Sequence, residues 1–223
     1  MRKDFWATCT LAAVVSAGAT AALAAQQPDA RPAQAAVFSA SLEKELALSG
    51  APEHLRAGAT VYVYGAKGFA QMQAGTNGFT CLLNRDGFFY NSTAFKPTCW
   101  DAEGATSYVP VMLRVGELLA AGKTLNEIRS DINAGFKDGR FRRPQRAGVA
   151  YMMAGDVNLD ATTGRVVKQE YQAHYMIYAP GVTSADLGYT REAAQGNSTL
   201  PFIFRSGAGG AELSYLIIAP QHR

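Results

Sequence analysis

An α+β domain, built on a single antiparallel sheet with helices on one face, is predicted by three features of the sequence. Runs of β-branched and aromatic residues recur between turn signals, and separate stretches space their apolar residues at helical intervals. The order reads helix, three strands, two helices, two strands, small helices, then one or two strands, and strands joined by tight turns pair antiparallel. The 223 residues are 48% hydrophobic and 17% charged, enough apolar material for a real core and unlike a disordered or collagenous chain. A net charge of +3 is too slight to imply a nucleic-acid partner. No 18-residue apolar run lies in the body of the chain, so no membrane span is expected there.

The first 25 residues have the layout of a secretory signal. Arg2 and Lys3 form a positive start, Leu11 to Leu23 a small-residue apolar stretch, and Ala22-Leu23-Ala24-Ala25 a small-residue cleavage site. Residues 26–36, rich in Pro, Ala and Gln, read as a disordered leader, and 37–223 as a single domain. Of three cysteines, Cys9 lies in the signal, which leaves Cys81 and Cys99 with seventeen residues between them. Two cysteines in an exported chain, with no C-x-x-C pair, read as a disulfide rather than a metal or redox site. The expected location is periplasmic or secreted.

Val37 to Leu48 carries Phe38, Leu42 and Leu46 on one helical face, with Gly50 as its stop and Pro52 opening a further turn. Thr60 to Tyr64 (TVYVY) is a strand by composition. Phe69 to Gln73 follows as a second, and Thr76-Asn77-Gly78 signals a hairpin into Phe79 to Leu83, giving a three-stranded meander. Asn84 to Ala105 reads as a loop excursion tied at its root by the disulfide. Pro110 is placed at the start of a helix through Ala121, and Thr124-x-x-Glu127 is a capping box for the next. Lys137 to Arg146 is a basic loop. Gly148 to Ala154 and Arg165 to Tyr178 read as two long strands joined by the 160–164 loop, with capped turns at Thr183 and Thr190 and a last strand from Leu213 to Ala219.

Three stretches resemble ligand motifs and fail on spacing. Gly116 to Thr124 (GELLAAGKT) has five residues between its glycines where a phosphate loop needs four. Asp156 to Thr162 opens like a calcium loop but has Ala161 where glycine belongs and Val167 where the bidentate glutamate belongs. Gly207-Ala-Gly209-Gly210 lacks the dinucleotide spacing. No cofactor and no metal are therefore read from motifs.

The candidate site centres on His174. Strand alternation places His174, Met176 and Tyr178 on one face of Tyr171 to Tyr178, and a His/Met cluster is the donor set of copper or of an axial haem ligand. Tyr151 and Met153 are expected neighbours on that face, subject to the strand register. Arg85-Asp86 follows Cys81 and Asp101 and Glu103 follow Cys99-Trp100, so a closed disulfide is expected to gather Arg85, Asp86, Asp101 and Glu103 into a charged group suited to a polar ligand or to acid–base work. The arginines at 140, 142, 143 and 146 offer a surface for anionic lipid or envelope polymer, or a plain solvated loop.

The segments TNGFTCLLNR (76–85), PTCWDAEG (97–104), GVAYMMAGD (148–156) and HYMIYAPGVTSADLG (174–188) resemble a group of uncharacterised exported bacterial proteins with no assigned activity. The resemblance covers most of the chain after residue 25 and implies export and a single domain only. The element order is loosely PAS-like or profilin-like. The expected function is a non-catalytic extracytoplasmic module that binds or senses a small molecule. The alternatives are a hydrolase or lyase using His174 with Asp101 or Glu103, and a His/Met protein handling copper or haem.

Overall fold

Alternating side chains in the first strands assign each face of the sheet to a different helix. In β1 (Thr60–Gly65), Val61 and Val63 pack with Ala47 and Ala51, whereas Tyr64 packs with Leu119. In β3 (Thr80–Asn84), Cys81 joins the first group and Leu83 meets Phe38 and Leu46, while Leu82 enters the largest cluster with Tyr108 and Met112. Helix α1 (Ala40–Ser49), with the short α2 (Glu53–Arg56), thus covers one face, and α3 (Ala102–Ala120), backed by α4 (Leu125–Lys137), covers the other. This corrects the expected one-sided packing. Leu82 and Leu83 point to opposite faces by strand alternation, and the full burial of both shows that both faces are covered. The structure is a computed structural model describing residues 32–160, 162–190, 192–193 and 200–218, all within one compact unit. The expected signal segment lies outside the described residues.

The fold is mixed α+β, with an eight-stranded sheet ordered β2-β1-β3-β4-β5-β8-β10-β9. Its strands are β1, β2 (Gly68–Gln73), β3, β4 (Lys96–Trp100), β5 (Val149–Met152), β8 (His174–Tyr178), β9 (Phe202–Ser206) and β10 (Gly210–Ile218); β6 (Asp156–Leu159) and β7 (Val166–Tyr171) form a separate hairpin. All pairings in the large sheet are antiparallel except β1 with β3.

The expected meander is therefore not formed. The Thr76-Asn77-Gly78 turn is present, but it carries the chain across the start of β1 to its other edge. The Thr76 and Asn77 amides donate to the Gly58 carbonyl, and the Gly75 amide donates to Thr60 Oγ1. Any side chain at Gly75 would overlap the Ala59–Thr60 backbone, so the crossing needs glycine.

Three further segments differ from expectation. The 84–105 stretch contains a 3-10 turn (Asp86–Tyr90), all of β4 and the start of α3, whose first-turn amide at Gly104 is capped by Asp101 Oδ1 at 3.0 Å. Pro110 lies inside α3, not at its start. The expected long strand 165–178 breaks at Gln172-Ala173, so that β7 pairs with β6 while β8 pairs with β5. The capping box at Thr124 and Glu127 is formed in both directions. Ala33–Ala35 forms a 3-10 turn with Gln34 buried, so packing begins before Val37.

Cys81 and Cys99 are register partners in β3 and β4 and are joined by a disulfide. The sheet is strongly curved beyond them. β9 is four steps from β4, roughly 19 Å in a flat sheet, yet Lys96 Nζ lies 5.1 Å from the Phe204 ring centre. Tyr90, just after β3, closes the curve by donating from its hydroxyl to the Arg205 carbonyl at 2.8 Å.

Candidate functional site

The concave side of this curved sheet holds a cavity of about 170 Å3. Register dictates who faces it. Lys96, Thr98 and Trp100 alternate inward along β4, Met152 pairs with His174 across β5 and β8, and Met176 pairs with Ile217 across β8 and β10. Met112 of α3 closes the top, and Phe202 and Phe204 of β9 form the far wall. The antiparallel bridge between Phe95 and Val157 brings the β6–β7 hairpin to the rim, where Asp156 and Tyr171, partners in that hairpin, join the lining.

Gly155 makes this placement possible. Its φ of +68° turns the chain out of β5, and a methyl there would overlap the Tyr171 carbonyl.

One end of the cavity is polar. Lys96 and Asp86 are almost fully buried, 6% and 3% exposed, and form an ion pair at 3.2 Å. The Lys96 ammonium also lies 4.0 Å from the centre of the Tyr90 ring. A charge so far from water requires such partners. Asn84 and Ser206 stand beside them, both buried.

His174 is 3% exposed, and its Nδ1 lies 2.8 Å from the Gln172 carbonyl oxygen. A carbonyl only accepts, so Nδ1 carries the hydrogen. Burial, with the Lys96 charge adding to it, holds the His174 pKa below the usual histidine value and keeps the ring neutral. Nε2 is then a lone pair without a hydrogen-bond partner among the described residues. The Tyr171 ring stands edge-on to the imidazole at 5.1 Å and fixes its plane.

Asp156 faces the same chamber, and its carboxylate receives no hydrogen bond among the described residues. Burial raises its pKa to about 6, against the lowering pull of Lys96 and reinforced by Asp86 and Glu170.

Of the residues singled out from the sequence, His174 and Met176 line the cavity. Tyr178 does not: its hydroxyl donates to Asp101 Oδ1 and the Val149 carbonyl, both at 2.9 Å, and its ring packs on Tyr108. Met152, not Met153 or Tyr151, shares the His174 face; Tyr151 packs on Phe79 and Tyr175 on the other side.

The charged group expected around the disulfide is not assembled. Asn84 pairs with Lys96 and Thr80 with Trp100, so Arg85 and Asp101 leave opposite ends of the β3–β4 ladder. Arg85 is buried against Glu43 and donates to the Gln34 and Ala36 carbonyls. Glu103 accepts from the Gln145 amide and from Arg142 and Arg146, which hold its pKa below the usual carboxylate range. Those contacts also engage part of the basic loop internally, with Arg143 on Glu212 and Arg140 on Asp138. Nor does His174 meet Asp101 or Glu103: Asp101 holds Tyr178, four residues along β8 and about 13 Å away.

Of the two methionines on opposite faces, sequence reasoning favoured Met153 over Met152, and it passed over Lys96, Thr98 and Trp100. Their signal is the period-two run Lys96-Thr98-Trp100, which gains meaning only once β4 is recognised as a strand.

No family model, curated protein or solved structure matches the chain. No cluster of three or more His, Cys, Asp or Glu side chains able to hold a metal occurs among the described residues, and no described helix is long and apolar enough to cross a membrane.

Proposed function

We propose that the chain is an exported, non-catalytic module that takes up a small organic molecule between the curved sheet and α3. The supporting observation is a chamber near 170 Å3 with mostly apolar walls in which two acceptors, His174 Nε2 and the Asp156 carboxylate, receive no hydrogen bond from the described residues. Apolar walls with a few convergent polar groups are the ordinary composition of a small-ligand site. A volume near 150 Å3 holds benzene, so the occupant is of that scale. Lys96 and Asp86 form a buried ion pair at 3.2 Å, which suits a fixed recognition surface rather than a proton-transfer pair.

The test is a screen of benzene-sized compounds read by the methyl resonances of methionine. A binder should shift Met112, Met152 and Met176 but leave exposed Met72 unmoved, and Ile217→Phe, which fills the chamber, should abolish the shifts. Binders that move other resonances and survive Ile217→Phe would refute the cavity as the site.

A second reading draws on sulfur. Met112, Met152 and Met176 line the chamber with His174 Nε2, and a histidine whose Nδ1 donates to a carbonyl is oriented as metal-ligating histidines are. Anaerobic titration with Cu(I) tests it: stoichiometric binding lost in His174→Ala would support it, and binding unchanged in that variant would reject it.

A further inference from the structure

From the balance of charge in the chamber, we infer that the ligand is a small organic ammonium ion, an amine of benzene scale that presents its N–H groups to Asp156 and His174 and its carbon frame to the aromatic wall. This rests on the cavity being a binding site and names what it takes.

The chamber presents two carboxylates, Asp86 and Asp156, against one ammonium, Lys96, with His174 neutral. Asp86 and Lys96 are paired at 3.2 Å. Asp156 is the surplus, and the group that completes it must bring positive charge and donors. His174 Nε2 asks for a donor as well. An anion would face an unpaired carboxylate and an acceptor nitrogen, and a hydrocarbon would leave both unsatisfied.

The chain already demonstrates the chemistry with its own side chain. Lys96 is held by a carboxylate on one side and by the Tyr90 and Phe204 rings at 4.0 and 5.1 Å on the other. Asp156 has an aromatic surround of its own and, among the described residues, no ion-pair partner: Tyr171 is its register partner, and Phe202 stands edge-on to Tyr171 at 6.3 Å. Tyr171 also touches His174, so one aromatic ring joins the two free acceptors. Asp156 and Tyr171 are partly exposed, which places this second ammonium position at the rim, where a ligand can enter.

Three probes of equal shape and different charge decide the matter: benzylamine, benzyl alcohol and benzoate, titrated calorimetrically at pH 7.5 into the protein and into Asp156→Asn, with the methionine methyl resonances followed in parallel. Benzylamine should bind at least tenfold more tightly than benzyl alcohol, and benzoate should bind more weakly than both. Asp156→Asn should erase the preference for the amine, bringing benzylamine to within twofold of benzyl alcohol. Equal or tighter binding of alcohol or benzoate to the protein, with Met152 and Met176 shifting, would overturn the ammonium assignment and leave the cavity reading intact. No binding by any probe, with the methionine methyls unmoved, would overturn both. Cu(I) moving those methyls where benzylamine does not would overturn it in favour of the metal.

Discussion

Met152 and His174 stand opposite one another in the register of β5 and β8, and this single pairing decides which face of the sheet lines the cavity. It places a thioether beside the neutral imidazole and sends Tyr151 and Tyr175 to the other side, where their rings meet edge-on at 5.8 Å. A slip of one residue would exchange the two sets and leave the chamber lined by tyrosines.

The Asp156 carboxylate makes stability depend on pH. Its folded value, raised by burial to about 6, exceeds the ordinary aspartate value of 3.8. The folded state therefore holds the proton more tightly, and stability falls as pH rises from about 4 through about 6. Lys96, Asp86, Glu170, Tyr171 and His174 surround the group and are unchanged in Asp156→Asn. That variant should be more stable than the parent by on the order of 2 kcal/mol at pH 7.5 and equal to it below pH 4. Urea unfolding at the two pH values measures this, and an equal offset at both would contradict it. Benzylamine binding should follow the same ionisation and weaken as pH drops below 6.

Arg85 and Glu43 form a buried pair that removal of one partner should expose. Burial pushes the Glu43 pKa up to about 7 even with the guanidinium in contact, a sign of how costly an unpaired charge would be there. Arg85→Met or Glu43→Leu alone should each cost about 3–5 kcal/mol. The double variant should recover most of that loss, since an apolar pair also suits the Phe38 and Phe95 rings that flank Arg85. Thermal melts of the three variants form the cycle, and additive losses would rule out the coupling.

The Cys81–Cys99 bond closes a loop containing the 3-10 turn with Asp86 and the first part of β4 with Lys96. Its loss in a Cys81→Ala/Cys99→Ala variant should lower stability by about 3 kcal/mol. Because Asp86 and Lys96 both lie inside the loop, benzylamine affinity should fall as well. Reducing agent should reproduce both effects in the parent and neither in the variant.

Gly155→Ala places a side chain at positive φ and against the Tyr171 carbonyl. A cost of at least about 1 kcal/mol is expected, together with a displaced Asp156. Loss of the amine preference without loss of benzyl alcohol binding would be its signature in calorimetry.

Composition and local pattern were enough to establish the α+β class, the helix with its Thr124–Glu127 capping box, and, with Cys9 set aside in the expected signal segment, the pairing of Cys81 with Cys99, because each depends on residues near in sequence. His174 and Met176 could also be placed on one face from alternation alone. Tertiary structure decided the rest. The parallel insertion of β3 beside β1, the break at Gln172-Ala173 and the curvature that brings Phe204 to Lys96 are set by long-range packing, to which a period-two pattern is blind. The site is made of such long-range facts: Asp86, Lys96, Asp156 and His174 come from four separate elements, and a cavity exists only where a curved sheet keeps those elements from closing on one another.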